Sequence, residues 1–143
     1  MPGIGDTNRL ASLFDHITVE GLVLPSLAAG IPVVSANANW TFGNYAAVVA
    51  ADVITARYHI HSISVESCTH DGVYQLELYH SAGHVLVSSV RFAVSGGFFG
   101  NSLYPVSSAL IPPNAQVDAR IAYSAGLANV ATVGISICYC IEA

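Results

Sequence analysis

The side chains best suited to chemistry are His59 and His61, one residue apart, with Glu66 and Gly72 downstream. Side chains on a strand alternate with a period of two, so such a pair points to one face and can share a metal ion. Glu66 adds an oxygen donor, but the ligand set is still incomplete. The same two histidines also suit the polar face of a strand whose Tyr58 and Ile60 turn to the core. Other candidates carry less. His80 and His84 flank a turn at Ser81-Ala82-Gly83, where a histidine pair can respond to pH near neutrality. Cys68 is close to His70 in sequence, but there is no Gly-x-Ser-x-Gly elbow and no evident acid–base carboxylate pair. Gly96-Gly97-Phe98-Phe99-Gly100 is glycine-rich yet lacks the lysine and helix context of a phosphate loop. The expectation is a protein that is not an enzyme, with no catalytic residue, no metal site and no cofactor.

The elements that must position these residues read as strands. Residues 48–55 are apolar and β-branched, and 57–66 alternate with a change of phase near Ser62 that predicts a bulge. His70-Asp71-Gly72 predicts a turn into a second alternating run, 73–79, with Tyr74, Leu76 and Leu78 inward and Gln75 and Glu77 outward. After Gly83, residues 84–94 read as the third strand of a meander. Residues 95–113 read as a loop carrying Phe98, Phe99 and Tyr104. Residues 115–123 place Val117, Ala119, Ile121 and Tyr123 on one face and Asp118 and Arg120 on the other; Gly126 turns the chain into a last strand over 130–141. Upstream, Asp6-Thr7-Asn8 predicts the cap of a short helix to Phe14, and 17–24 reads as a strand before Pro25, Gly30 and Pro32 interrupt it. The fold class is therefore all-β: one domain, an antiparallel, jelly-roll-like β-sandwich of seven to eight strands with little helix. Residues 1–44 form an N-terminal arm or edge segment and 45–143 the sandwich.

Composition narrows the function. Of 143 residues 53% are hydrophobic and only 9% charged, and lysine is absent, the four cations being Arg9, Arg57, Arg91 and Arg120. Soluble domains carry about a quarter charged residues, so much of this surface is apolar or uncharged polar, the kind that partners cover. A net charge of −5 with scattered arginines argues against nucleic acid and against anionic membranes, which require clustered cations. The charge-free run 121–141 is long enough to span a bilayer as a helix, but its alternation and its Ser, Asn, Thr and Gly residues predict two strands and a turn. The start of the chain shows no basic n-region and no long apolar core, so no secretory signal is expected, and Cys68, Cys138 and Cys140 are expected as free thiols.

Two resemblances bear on this frame. The His59-x-His61, Glu66, Gly72 spacing is similar to part of the first motif of cupins, metal-binding jelly rolls; the glycine expected six residues before the first histidine is Val53, and the second cupin motif is absent. More of the chain resembles a type of tailed-bacteriophage structural protein. The matching stretches are Asn39-Trp40-Thr41-Phe42-Gly43-Asn44-Tyr45, then Gly72 to Tyr79 with Gly83 and Arg91-Phe92, then Ile111-Pro112-Pro113-Asn114 through Arg120, and a last strand ending Ile137-Cys138-Tyr139. Together they span about residues 39–140. The resemblance implies a capsid decoration or cement protein, on the head rather than the tail, made in the host cytoplasm and carried on the virion. It further implies a homo-oligomer, with a trimer as the guess, bound to the major capsid protein or other virion proteins. The alternatives are a carbohydrate- or receptor-binding jelly roll of a fibre, and a cupin-like metal-binding protein through His59, His61 and Glu66.

Overall fold

The computed structural model describes residues 22–25, 30–97 and 103–142. The expected helix at 6–14, the first half of the expected strand at 17–24, and Phe98 and Phe99 lie outside them. Among the described residues the chain forms nine strands and no helix: β1 (Leu22–Leu24), β2 (Ile31–Val34), β3 (Ala46–Val49), β4 (Tyr58–Cys68), β5 (Gly72–His80), β6 (Val85–Val94), β7 (Leu103–Pro105), β8 (Val117–Tyr123) and β9 (Thr132–Ile141). They make two antiparallel sheets packed face to face. In the five-stranded sheet β1 and β2 both pair with β9, which pairs with β4, which pairs with β7; the four-stranded sheet runs β3-β8-β5-β6. The all-β sandwich read from the sequence is the fold of the chain. Its strands exceed the expected number because β2 and β7, four and three residues long, are too short to show a periodicity of their own, whereas β1 falls within the strand expected over 17–24.

One expectation is corrected. Residues 57–94 do not form a meander: β4 pairs with β9 and β7, whereas β5 pairs with β6 and β8. The His70-Asp71 turn therefore carries the chain from one sheet to the other. An Asp-Gly step signals a reversal of direction but not which sheet receives the next strand. Three side-chain contacts hold this crossing. The Tyr74 hydroxyl donates to the His70 carbonyl at 2.5 Å, the Tyr123 hydroxyl donates to the Asp71 carbonyl, and the Asp71 carboxylate accepts from the Gly96 and Gly97 amides at 2.8 and 3.1 Å. Gly72 sits at φ 141°, where a Cβ would lie 2.6 Å from the Tyr123 ring, so both backbone and packing require glycine there.

The bulge expected near Ser62 is present, as a register shift against β9 between Ile60 and Ser62. It explains the phase change: Tyr58 and Ile60 before it and Ile63 and Val65 after it all turn inward and are buried. The facing layer comes from Tyr74, Leu76 and Leu78 of β5 and Val117, Ala119, Ile121 and Tyr123 of β8. A run of aromatic rings ties the layers together. Tyr74 stacks on Tyr123 at 4.6 Å and on Phe92 at 5.2 Å, and Phe92 meets Tyr104 of the opposite sheet at 5.4 Å. The charge-free 121–141 run is the end of β8, a turn and β9, and no helix among the described residues is long and apolar enough to cross a membrane.

Removing the centre of the ring stack, Tyr74→Ala, is expected to cost about 3–5 kcal/mol, the range for an emptied aromatic core site; a shift in the urea midpoint at constant slope checks it. Alkali gives a second test. Burial pushes the phenols of Tyr58, Tyr74, Tyr79, Tyr104 and Tyr139 upward. Folding thus favours their protonated forms, and the stability they contribute is complete below the ordinary pKa of 10.0 and is lost as pH climbs past it. Tyrosinate absorbance should rise late and together with unfolding; smooth, reversible titration of all seven tyrosines at the ordinary pKa would show that these rings are solvated.

Candidate functional site

The outer face of the four-stranded sheet gathers a cluster of polar and aromatic groups. β8 turns Asp118, Arg120 and Ala122 to this face, opposite its core residues, and β5 turns Gln75, Glu77 and Tyr79 the same way. β6 adds Ser89 and Arg91, directly across from Glu77 and Gln75. The segment before β3 lies along β8: the Trp40 amide donates to the Tyr123 carbonyl at 2.9 Å, Phe42 bridges to Ala122, and the Gly43 amide donates to the Ile121 carbonyl at 3.1 Å. This lays Trp40, Phe42 and Tyr45 against the sheet. Trp40 and Tyr45 remain 46% and 40% exposed.

Arg120 is the hub of one half of the face. Its guanidinium carbon lies 4.3, 4.9 and 5.2 Å from the ring centres of Phe42, Tyr79 and Tyr45. One Nη donates to the Tyr79 hydroxyl at 2.7 Å and to Glu77 Oε1 at 3.3 Å, and that hydroxyl in turn donates to Glu77 Oε1 at 2.5 Å. Burial opposes the arginine's charge, but the Tyr79 hydroxyl, Tyr45 and Glu77 outweigh it and raise the pKa further. The Nε of Arg120 is buried with no hydrogen-bond partner among the described residues. Asp118 and Arg120 do face away from the core, and within the chain they meet His84 and Gln116, and Glu77 and Tyr79, respectively. Beside this hub, His84 stacks on Tyr45 at 3.9 Å, nearly parallel, and its Nε2 lies 3.3 Å from the shielded carboxylate of Asp118, which also accepts from Gln116 at 2.8 Å.

The other half of the face is more open. Arg91 Nε donates to Gln75 Oε1 at 3.0 Å, Gln75 Nε2 donates to Ser89, and the Arg91 guanidinium lies 4.8 Å from the Trp40 ring centre. No carboxylate pairs with Arg91 among the described residues. Counting back through the Ser81-Ala82-Gly83 turn would put Val90 across from Gln75; a register shift between Leu78 and Tyr79 brings Arg91 there instead, and nothing local to Trp40 signals that it reaches Arg91.

The other sequence candidates lie elsewhere. His59 is on the outer face of the five-stranded sheet, and its Nδ1 sits 2.6 Å from Glu142 Oε1, a partner 83 residues away. Glu66 accepts instead from the Ser136 hydroxyl at 2.7 Å. The alternative ligand set of His59, His61 and Glu66 is thus not assembled, and no group of three potential metal ligands converges among the described residues. The bulge and the length of β4 set Glu66 apart from the histidines. His80 contacts Ser81 through Nδ1 at 2.8 Å, and Cys68, Cys138 and Cys140 form no disulfide among the described residues.

Arg120→Ala is expected to destabilise the fold by about 2 kcal/mol, since it strips Glu77 of its cation and empties the space between three rings. Arg120→Met should recover part of that loss by refilling the space. Unchanged unfolding curves alongside weakened self-association would place the arginine between subunits instead.

No protein-family model matches this chain, and no curated protein matches it. Among solved structures it is similar to a carbohydrate-binding module, CBM36, in complex with calcium and xylotriose. The identity is 12%, over 82% of this chain and 97% of that one, with a TM-score of 0.41. A second similar structure is CsCBM6-3 from Clostridium stercorarium in complex with cellobiose, at 11% identity over 70% of this chain and 76% of that one, with a TM-score of 0.34.

Proposed function

We propose that this chain is a non-catalytic binding module that decorates or cements a phage particle, on the head rather than the tail. The observation that carries this reading is the surface. Val53, Val85, Leu86, Leu103, Leu110, Leu127 and Val130 are each more than 40% exposed on a chain without lysine. Isolated exposed apolar residues are ordinary, but this number on so charge-poor a surface suits a protein whose outside is covered in an assembly. The phage resemblance over residues 39–140 points the same way. The partners are then the major capsid protein or other virion proteins, and further copies of this chain in a homo-oligomer, a trimer by the same resemblance.

A second reading, a carbohydrate- or receptor-binding module, is favoured by one feature of the site. Trp40 and Tyr45 stand half-exposed at either end of a strip that also presents Gln75, Glu77, Ser89 and Arg91. Exposed rings with convergent polar groups are the ordinary furniture of a ligand site. The two readings are compatible in one protein, since a subunit can hold the particle by one surface and present another.

A protein that binds only the assembled particle raises the particle's stability by mass action. Adding the purified chain to particles that lack it should raise the temperature at which they release their contents, saturably with concentration. An unchanged release temperature, with no chain sedimenting with the particles, would remove the cementing role.

A further inference from the structure

The Arg91 end of the outer face differs from the Arg120 end in a way that points to a ligand. We infer that the Trp40–Arg91–Gln75 corner binds a carboxylated sugar within an oligosaccharide, the ring lying against Trp40 and the carboxylate meeting Arg91. The inference rests on the sugar-binding reading of this face and specifies its substrate class.

Four observations combine. Arg91 is exposed, and its Nε is held by Gln75 at 3.0 Å. Gln75 is itself tied to Ser89. The guanidinium is thereby fixed in direction, while its two Nη groups have no hydrogen-bond partner among the described residues. A fixed guanidinium edge with two free donors matches the two oxygens of a carboxylate. Every other charge on this face is already paired: Glu77 with Arg120, and Asp118 with His84. On a chain of net charge −5, Arg91 is therefore a local positive point set in a neutral, hydroxyl- and amide-bearing surface.

The adjoining indole decides between classes of ligand. Trp40 is 46% exposed, has the Arg91 guanidinium 4.8 Å from its ring centre, and shares the sheet face with the row of Gln75, Arg91 and Ala122. A protein anchor needs an apolar pocket to fill. A pyranose ring instead offers C–H groups to a flat indole and hydroxyls to amides and serines at its rim. Trp40 and Tyr45 are five residues apart, at most roughly 16 Å of extended chain, so a ligand that touches both rings is no longer than a short oligosaccharide.

Trp40 is the only tryptophan of the chain, so its fluorescence reports on this corner alone. Titration of the full chain with an oligogalacturonide or with sialyllactose should shift Trp40 emission saturably, and cellotetraose should bind at least ~10-fold more weakly, the scale of a charge-assisted contact. Arg91→Ala should abolish that preference and Arg91→Lys restore only part of it, with circular dichroism showing both variants folded. Added salt should weaken the acidic ligand alone. Equal binding of cellotetraose, unaffected by Arg91→Ala, would overturn the carboxylate assignment and leave the sugar-binding reading standing. No response to any of these sugars would remove both. Loss of particle attachment in Arg91→Ala, with no sugar response, would overturn the inference by making this corner a protein contact.

Discussion

A guanidinium taken out of water needs a carboxylate and flat, polarisable surfaces around it, and this requirement at Arg120 organises the outer face of the four-stranded sheet. Phe42, Tyr45 and Tyr79 supply the rings and Glu77 the counter-charge. Because Phe42 and Tyr45 come from the segment before β3, their packing on Arg120 pins that segment along β8, and Trp40 is carried with it. The same strand that turns Arg120 outward turns Val117, Ala119, Ile121 and Tyr123 into the core. One strand thus serves two layers, the core and the face above it.

The alternating strands were legible because a half-buried strand must alternate. β5 and β8 show it most plainly: Leu76 and Leu78 against Gln75 and Glu77, and Ala119 and Ile121 against Asp118 and Arg120. The bulge at Ser62 was legible for the same reason, since an inserted residue reverses the phase. What could not be read was partnership. Tyr74, Leu76 and Leu78 would face a core whether β4 lay beside β5 or across from it, and periodicity cannot tell the two apart. The short strands were hidden for a different reason. β7 rests on three pairings, Leu103 to Ser64, Tyr104 to Ile63 and Pro105 to Ser62, and its formation depends on an edge of β4 that only the folded sheet provides.

The candidate site was less legible than the fold. His59 and His61 drew attention because their spacing on one strand is a local signal, yet the carboxylate that meets His59 is Glu142, at the far end of the chain. The site that the structure does assemble draws on four segments: Trp40 to Tyr45, β5, β6 and β8. Each member looks ordinary in its own stretch. Gln75 and Glu77 read only as the solvent side of a strand, and Arg91 only as an exposed charge. Their meaning lies in the register of β5 against β6 and β8, which sets Arg91, Gln75 and Ala122 in one row and Ser89, Glu77 and Arg120 in the next.

The distribution of charge gives this face its weight. The whole chain has four cations, all arginine, and two of them lie here over aromatic rings. Lysine could not take either place: an ammonium has no plane to stack and no fork to direct. The two arginines nevertheless differ in kind. Arg120 makes its ring contacts and the hydrogen bonds of one Nη inside the molecule. Arg91 is held in position by Gln75 and lies over Trp40, but the edge of its guanidinium that best fits an anion has nothing to meet among the described residues. That unmet edge, beside the only indole of the chain, is the ground on which the proposed carboxylate contact stands.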